Sequence, residues 1–365
     1  MRAITTLLLL SIHLCSKAQP GALDPTYGNN GAVVLQPGTW LDLANQVIAA
    51  PDTTAYTVGT ATPDSVMELI VTHLMKDGSL DTSFGEAGYA FIGAGSNTQG
   101  VTIARTAEGA LVAAGTTLVG QQTDLFLCKL TSQGELDGTF GNGGTLVLPV
   151  GTSFDYPQKL LLTPDGRIVI AGASFDANGV LNGVILRLQP DGSWDTSFSG
   201  DGKLFFTQFA QADRFVDAAF TSNGGIVAVG SAVVGVPTVV LMAKATADGE
   251  WDMAFGQGGW DTLMIDQYNL DYAGGVVMAD EKIVICGTTW DLTGADGFVA
   301  RMEAQGGLDQ TFGSNGIRRI DQDEEDELYD VALDTDGGIL ACGTTRVLDL
   351  NDRYDLLFAR LDPDG

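Results

Sequence analysis

Histidine is almost missing from this chain. The 365 residues hold two, and only His73 lies beyond the first twenty. A Ser-His-Asp or Cys-His catalytic arrangement needs a credible histidine, and a zinc site built from several histidines is excluded outright. Basic residues are scarce as well: 18 Lys and Arg stand against 46 Asp and Glu, a formal charge of −28. Nucleic acid and anionic membrane surfaces both require a basic patch, so neither is an expected partner. Beyond the leader there is no apolar run long enough for a transmembrane helix and no amphipathic helical pattern. Glycine-rich pieces such as 141–144 precede strand-like runs, so no helix N-terminus is offered to a phosphate.

The N-terminus reads as an export signal. Arg2 gives a positive start, a short apolar core runs through Leu14, and Ser16 and Ala18 are the small residues before a cleavage at Gln19. Leu14 stands where a lipid-anchored Cys15 would want a small residue. The domain plan is therefore a signal peptide, residues 1–18, and one domain, 19–365, secreted or held at the cell surface. Three cysteines remain, Cys128, Cys286 and Cys342. The last two fill one slot in successive repeats, which reads as small buried apolar residues rather than a bridge.

What the sequence does have is a repeat. Its core is Leu/Trp-Asp-x-x-Phe-Gly, beginning at residues 23, 80, 136, 194, 251 and 308, with Asp-to-Asp spacings of 56 to 58. Tyr27 replaces Phe in the first copy and Ser199 replaces the closing Gly in the fourth. A second glycine follows three residues after each motif. Within each unit come four short runs rich in β-branched residues, such as 145–148, 160–162, 168–172 and 184–188, bounded by Gly and Asp turns. Four strands per unit at a fixed period predict an all-β chain, a β-propeller of six roughly 57-residue blades.

The Leu-Asp-x-Thr/Ser-Phe-Gly motif, preceded by Asp-Gly-x-Ile-x-Val-Ala-Gly, resembles the delta-60 repeat family of secreted bacterial propeller-like proteins. The resemblance spans the mature chain. It implies the fold and export, and it transfers no catalytic residue. Two readings of the last unit stay open. Residues 31–35 supply its outer strand and close a six-bladed ring, which hides strand edges, or the sequence is part of a longer one.

The repeated residues read as structural. Asp24, Asp81, Asp137, Asp195, Asp252 and Asp309 are placed to hold their own turns, with a Ser or Thr two residues on in most copies. Phe84, Phe140, Phe198, Phe255 and Phe312 are large enough to fill the space between blades. His73 falls in a slot held by Lys129, Arg187, Lys244, Arg301 and Arg360 in the other units, so it is expected to replace a basic residue and pair with an Asp.

Candidate functional residues are acidic or aromatic. Of the acids, 36 are Asp and 10 are Glu. Asp42, Asp155, Asp213, Asp271 and Asp326 precede the innermost strand of five units, with Asn97 and Thr98 in the remaining one. A ring of carboxylates at a channel mouth would suit Ca²⁺ or a basic partner; a solvated acidic rim is the alternative. The acidic run from Asp321 is not an EF-hand, because its sixth and twelfth positions are Asp326 and Ala332. The longest variable loops, 175–183, 290–297 and 346–354, precede the fourth run of their units. Trp40 and Trp290, in or beside loops of this face, are placed to stack on a sugar ring. These features predict a non-catalytic binding or scaffold protein, a monomer needing no cofactor, that takes a protein or glycan on its loop face. The alternatives are a carboxylate-based glycosidase or lyase and a calcium-stabilised structural surface protein.

Overall fold

A computed structural model describes residues 23–235, 237–265, 270–291, 294–322, 325–347 and 353–365; the leader expected over 1–18 lies outside the described residues. The described residues form strands and turns without a helix. Blade 1 comprises β1 (Asp42–Ala49), β2 (Ala55–Ala61), β3 (Glu68–Leu74) and β4 (Tyr89–Ile92). Blade 2 comprises β5 (Thr98–Arg105), β6 (Leu111–Val119), β7 (Gln122–Leu130) and β8 (Thr145–Leu148). Blade 3 comprises β9 (Asp155–Leu162), β10 (Ile168–Phe175), β11 (Leu181–Leu188) and β12 (Lys203–Phe205). Blade 4 comprises β13 (Asp213–Phe220), β14 (Ile226–Val233), β15 (Thr238–Ala245) and β16 (Trp260–Leu263). Blade 5 comprises β17 (Leu270–Ala279), β18 (Lys282–Trp290), β19 (Ala295–Met302) and β20 (Ile317–Ile320). The last unit has three strands, β21 (Glu325–Leu333), β22 (Ile339–Val347) and β23 (Arg353–Leu361).

Each blade is an antiparallel meander in chain order. Single parallel bridges, Thr238↔Leu270 and Ala295↔Glu325, join blades 4, 5 and 6 at their edges. Every innermost strand carries a bulge at the same place, for example between Gly100 and Thr102 or Phe215 and Asp217. Opposite it the second strand always has glycine. A Cβ on Gly115 would lie 1.7 Å from the Gln99 carbonyl oxygen, so no other residue fits there.

The core is divided among the blade interfaces. Phe140, Leu125 and Leu127 of blade 2, for instance, pack on Leu160, Ile170 and Leu186 of blade 3. Five such clusters lie between successive blades from the first to the sixth.

The sixth blade differs from its expected form. Residues 31–35 make no strand with β23, which pairs only with β22. They run instead against blade 1, where Gly28 donates to the Asp77 carbonyl and residues Val33, Val34 and Leu35 border a cavity on its outer face. Each motif glycine, or Ser199 in its place, donates to the turn of the following blade, and Gly28 makes the same contact with blade 1.

Candidate functional site

The two ends of the blades carry different chemistry. At one end lie the repeated Asp motifs. Each Asp closes a turn by accepting from the backbone N–H two residues on, as Asp81 does from Ser83 at 3.0 Å and Asp137 from Thr139 at 3.0 Å. The Ser or Thr hydroxyl donates to the same oxygen at 2.6 Å in both. The other carboxylate oxygen pairs with the basic residue of the third strand: Lys129–Asp137 3.3 Å, Arg187–Asp195 2.6 Å, Lys244–Asp252 3.3 Å and Arg301–Asp309 2.6 Å. Asp24 holds only its own turn, through Thr26. His73 takes the same slot; Nδ1 meets Asp81 and Nε2 meets Thr54, both at 2.9 Å, and the ring stacks on Tyr56. Phe84, Phe140, Phe198, Phe255 and Phe312 are fully buried beneath these pairs.

The other end is the mouth, where innermost strands begin and second strands finish. Asp155, Asp213, Asp271 and Asp326 are buried here, not solvated. Asp155 accepts from Val150 N–H at 2.9 Å, Gly151 N–H at 3.1 Å and the Ser174 hydroxyl at 2.6 Å. Asp271 accepts from Ile265 N–H at 2.9 Å and Asp326 from Gln322 N–H at 2.5 Å. Each therefore pins the loop that leads into its own strand. Thr98 does the same in blade 2, accepting from Ala94 N–H at 3.2 Å. Asp42 alone is exposed. Among the described residues no three His, Cys, Asp or Glu side chains come together as a metal site. The acidic run is described only in part, since 323–324 lie outside the described residues.

Asp213 is the exception within the set. Its strand neighbour is Ala232, where Asp155 faces Ser174, Asp271 faces Thr289 and Asp326 faces Thr345. Both carboxylate oxygens are buried with no hydrogen-bond partner. Burial pushes its pKa up to about 7.

Just inside the mouth, the residue after the bulge reaches the next blade in blades 1 to 4. Gln46 accepts from Ile103 N–H at 2.7 Å, and Thr102 accepts from Leu160 N–H at 3.0 Å. Lys159 pairs with Asp217 at 2.7 Å, and Asp217 accepts from Val276 N–H at 2.9 Å. Burial raises the Asp217 pKa against the pull of Lys159. This belt of inter-blade bonds has no sequence signature, because the residue types differ at every step.

The expected tryptophans are placed differently from each other. Trp40 is 82% exposed on the segment before β1. Trp290 is half-buried at the end of β18. Phe175 fills the same slot at the end of β10, and there it gathers two more rings that sequence reasoning missed. Phe154 and Tyr156 pack edge-on to it, with centroids 6.4 and 6.3 Å away. The signal was available: Phe175 and Trp290 each stand three residues after the invariant strand glycine.

Residues 108–140 and 163–198 match a β-propeller domain of unknown function, DUF5122. No curated protein matches the chain. Among solved structures, the PQQ-bound aldose sugar dehydrogenase from Streptomyces coelicolor is 14% identical, with 90% of this chain and 97% of that one covered and a TM-score of 0.49. The polysaccharide lyase Uly1 is 14% identical, covering 87% and 77%, with a TM-score of 0.48. A catalytically inactive virginiamycin B lyase from Staphylococcus aureus is 9% identical, covering 86% and 83%, with a TM-score of 0.46. The chain is thus an all-β protein of propeller type.

Proposed function

We propose that this chain is an exported, six-bladed propeller of the delta-60 repeat type that binds a protein or glycan at its mouth and catalyses no reaction there. The observation that carries this reading is the use made of the mouth carboxylates. Asp155, Asp271 and Asp326 accept hydrogen bonds from their own loops, while aromatic and amide side chains are the groups left open. A hydrolase of the two-carboxylate kind needs both acids facing one substrate bond.

Six-fold closure belongs to the same proposal. Phe358 of β23 is 74% exposed, although its counterparts Val71, Leu127, Ile185, Met242 and Val299 are fully buried by a following blade. Val47 of β1 is 65% exposed, although Ile103, Leu160, Ala218, Val276 and Val331 are buried by a preceding blade. The two uncovered faces are the complementary halves of the interface formed five times elsewhere, and residues 31–35 lie beside one of them.

A second reading, a carbohydrate-active enzyme, draws on Asp213, since an acid titrating near 7 suits proton donation. One assay separates the two. The purified protein is incubated with a polysaccharide panel, and both retention and release of reducing ends are followed. Retention without release supports the binding reading. Turnover that disappears in Asp213→Asn overturns it. A melting temperature that falls on adding chelator would instead favour a calcium-stabilised structural protein.

A further inference from the structure

An open groove of about 400 Å³ lies at the mouth between blades 2 and 3. Its polar wall is Gln99, Thr116, Thr123 and Gln158, and its aromatic wall is Phe154 and Tyr156. No residue lining it is charged at neutral pH, in a protein whose formal charge is −28. The volume falls within the range of small-ligand sites, about 300–1,000 Å³.

Of the polar lining, Asn97 is spent on the fold, accepting from Met67 N–H at 3.3 Å. The Thr123 hydroxyl is buried without a hydrogen-bond partner. That is costly unless something supplies the missing bond. Phe154 and Tyr156 remain 37% and 40% exposed while Phe175 braces both from behind. Such rings are held in place before any ligand arrives, so little rotamer freedom is lost on binding.

From this juxtaposition we propose that the groove binds a neutral saccharide, a proposal that rests on the binding reading above. A sugar ring presents an apolar face of C–H groups to the negative face of an aromatic ring. Its hydroxyls both donate and accept, as do the amides of Gln99 and Gln158 and the hydroxyls of Thr116 and Thr123. An acidic polysaccharide meets no cation in the groove and is repelled by the protein's net charge.

The test is calorimetric titration of the full chain with neutral gluco-, manno- and xylo-oligosaccharides, and with oligogalacturonate as the acidic comparison. At least one neutral series is expected to bind and oligogalacturonate is not. Tyr156→Ala and Gln158→Ala should each weaken binding by about tenfold or more. Tyr156→Phe should cost less, and Trp40→Ala nothing, with all melting temperatures close to that of the parent. Neutral-sugar binding undiminished in the Tyr156→Ala/Gln158→Ala double variant would overturn the groove and leave the binding reading standing. Binding of oligogalacturonate alone, or of no saccharide at all, would overturn the inference. Shortened products whose release depends on Tyr156 would keep the groove and overturn the non-catalytic reading.

Discussion

Arg187 Nε lies 2.6 Å from Asp195 Oδ2, and both side chains are almost wholly buried. The guanidinium also reaches the Ser197 hydroxyl at 3.0 Å and the Ala247 carbonyl of the next blade. One ion pair thus ties a turn, a third strand and the following blade together. Removing Asp195 leaves the buried Arg187 charge uncompensated, which costs about 3–5 kcal/mol, whereas Asp195 without Arg187 keeps Arg167 Nε at 3.2 Å.

The hydroxyl in each turn gives a finer test. The Ser83 hydroxyl and N–H are the main causes holding Asp81 below its usual pKa, and Thr139 does the same for Asp137. Blade 4 has Ala254 in this slot, so Asp252 receives only the N–H. Thr139→Ala should therefore destabilise the protein by about 1 kcal/mol, and Ala254→Thr should stabilise it by roughly half that. The sign with pH follows from the lowered folded-state pKa. The contribution is present in full above about pH 4 and is lost as pH falls through the folded value. Urea melts at pH 7 and pH 3 should show the Thr139 effect shrinking in acid.

Closure of the ring is open to a covalent test. In blades 1 to 5 the residue before the basic slot pairs with the residue after the second glycine, as Thr72↔Tyr89 and Cys128↔Thr145. The same register in the sixth blade sets Ala359 opposite Ala32. The neighbouring position is hydrogen-bonded, as His73 N–H to the Gly88 carbonyl shows, so this is the closely spaced pair, about 4.5 Å between Cα atoms. Ala32→Cys with Ala359→Cys should then oxidise to an intramolecular disulfide. Closure also brings Arg360, now paired with Asp334 at 2.6 Å, to Asp24. It further buries the half-exposed Cys342 as Cys286 is buried, so alkylation of the native protein should leave all three thiols unmodified. A freely alkylated Cys342 and no cross-link would sink the six-bladed ring.

The fold was legible because its information is periodic. Six copies of Leu/Trp-Asp-x-x-Phe-Gly report on turns and interfaces that are the same every time. The candidate site was less legible because it is where the copies differ. Asp155, Asp213, Asp271 and Asp326 share a slot and suggested an open ring, yet all four are buried, and Asp155, Asp271 and Asp326 turn onto their own loops. Sequence spacing gives the slot, and only the strand twist gives the direction. Phe154 and Tyr156 carried little repeat signal, since Leu43, Gln99, Arg214 and Glu327 stand where Tyr156 does and only Tyr272 repeats it. Their contact with Phe175 is made across the β9–β10 pair, where the strand register sets the rings side by side.

His73 should prove a frame residue. It stacks on Tyr56 at 4.1 Å with an interplanar angle of 10° and hydrogen-bonds at both ring nitrogens. His73→Ala should cost about 2–3 kcal/mol in stability, from the lost packing and the unpaired Asp81 and Thr54. Saccharide affinity at the opposite end should not change. Loss of binding in a variant that remains folded would reassign the histidine to function.

Asp213 supplies the prediction with the clearest pH signature. Its folded-state pKa, about 7, stands above that of an unfolded Asp, about 3.9, because burial disfavours the carboxylate. Between those values the folded state keeps a proton that the unfolded chain has shed. Stability therefore falls as pH rises from about 4 to about 7 and levels off above. Asp213→Asn removes the titration, so it should stabilise the protein at pH 8, by a few kcal/mol at most, and change it little at pH 4. Ala232→Ser acts on the same site from the neighbouring strand. It restores the hydroxyl that Ser174 gives Asp155, and its benefit should likewise appear at pH 8, once Asp213 is ionised. Thermal melts of the two variants across pH 4 to 8 check both. Equal gains at every pH would mean that Asp213 does not titrate in this window.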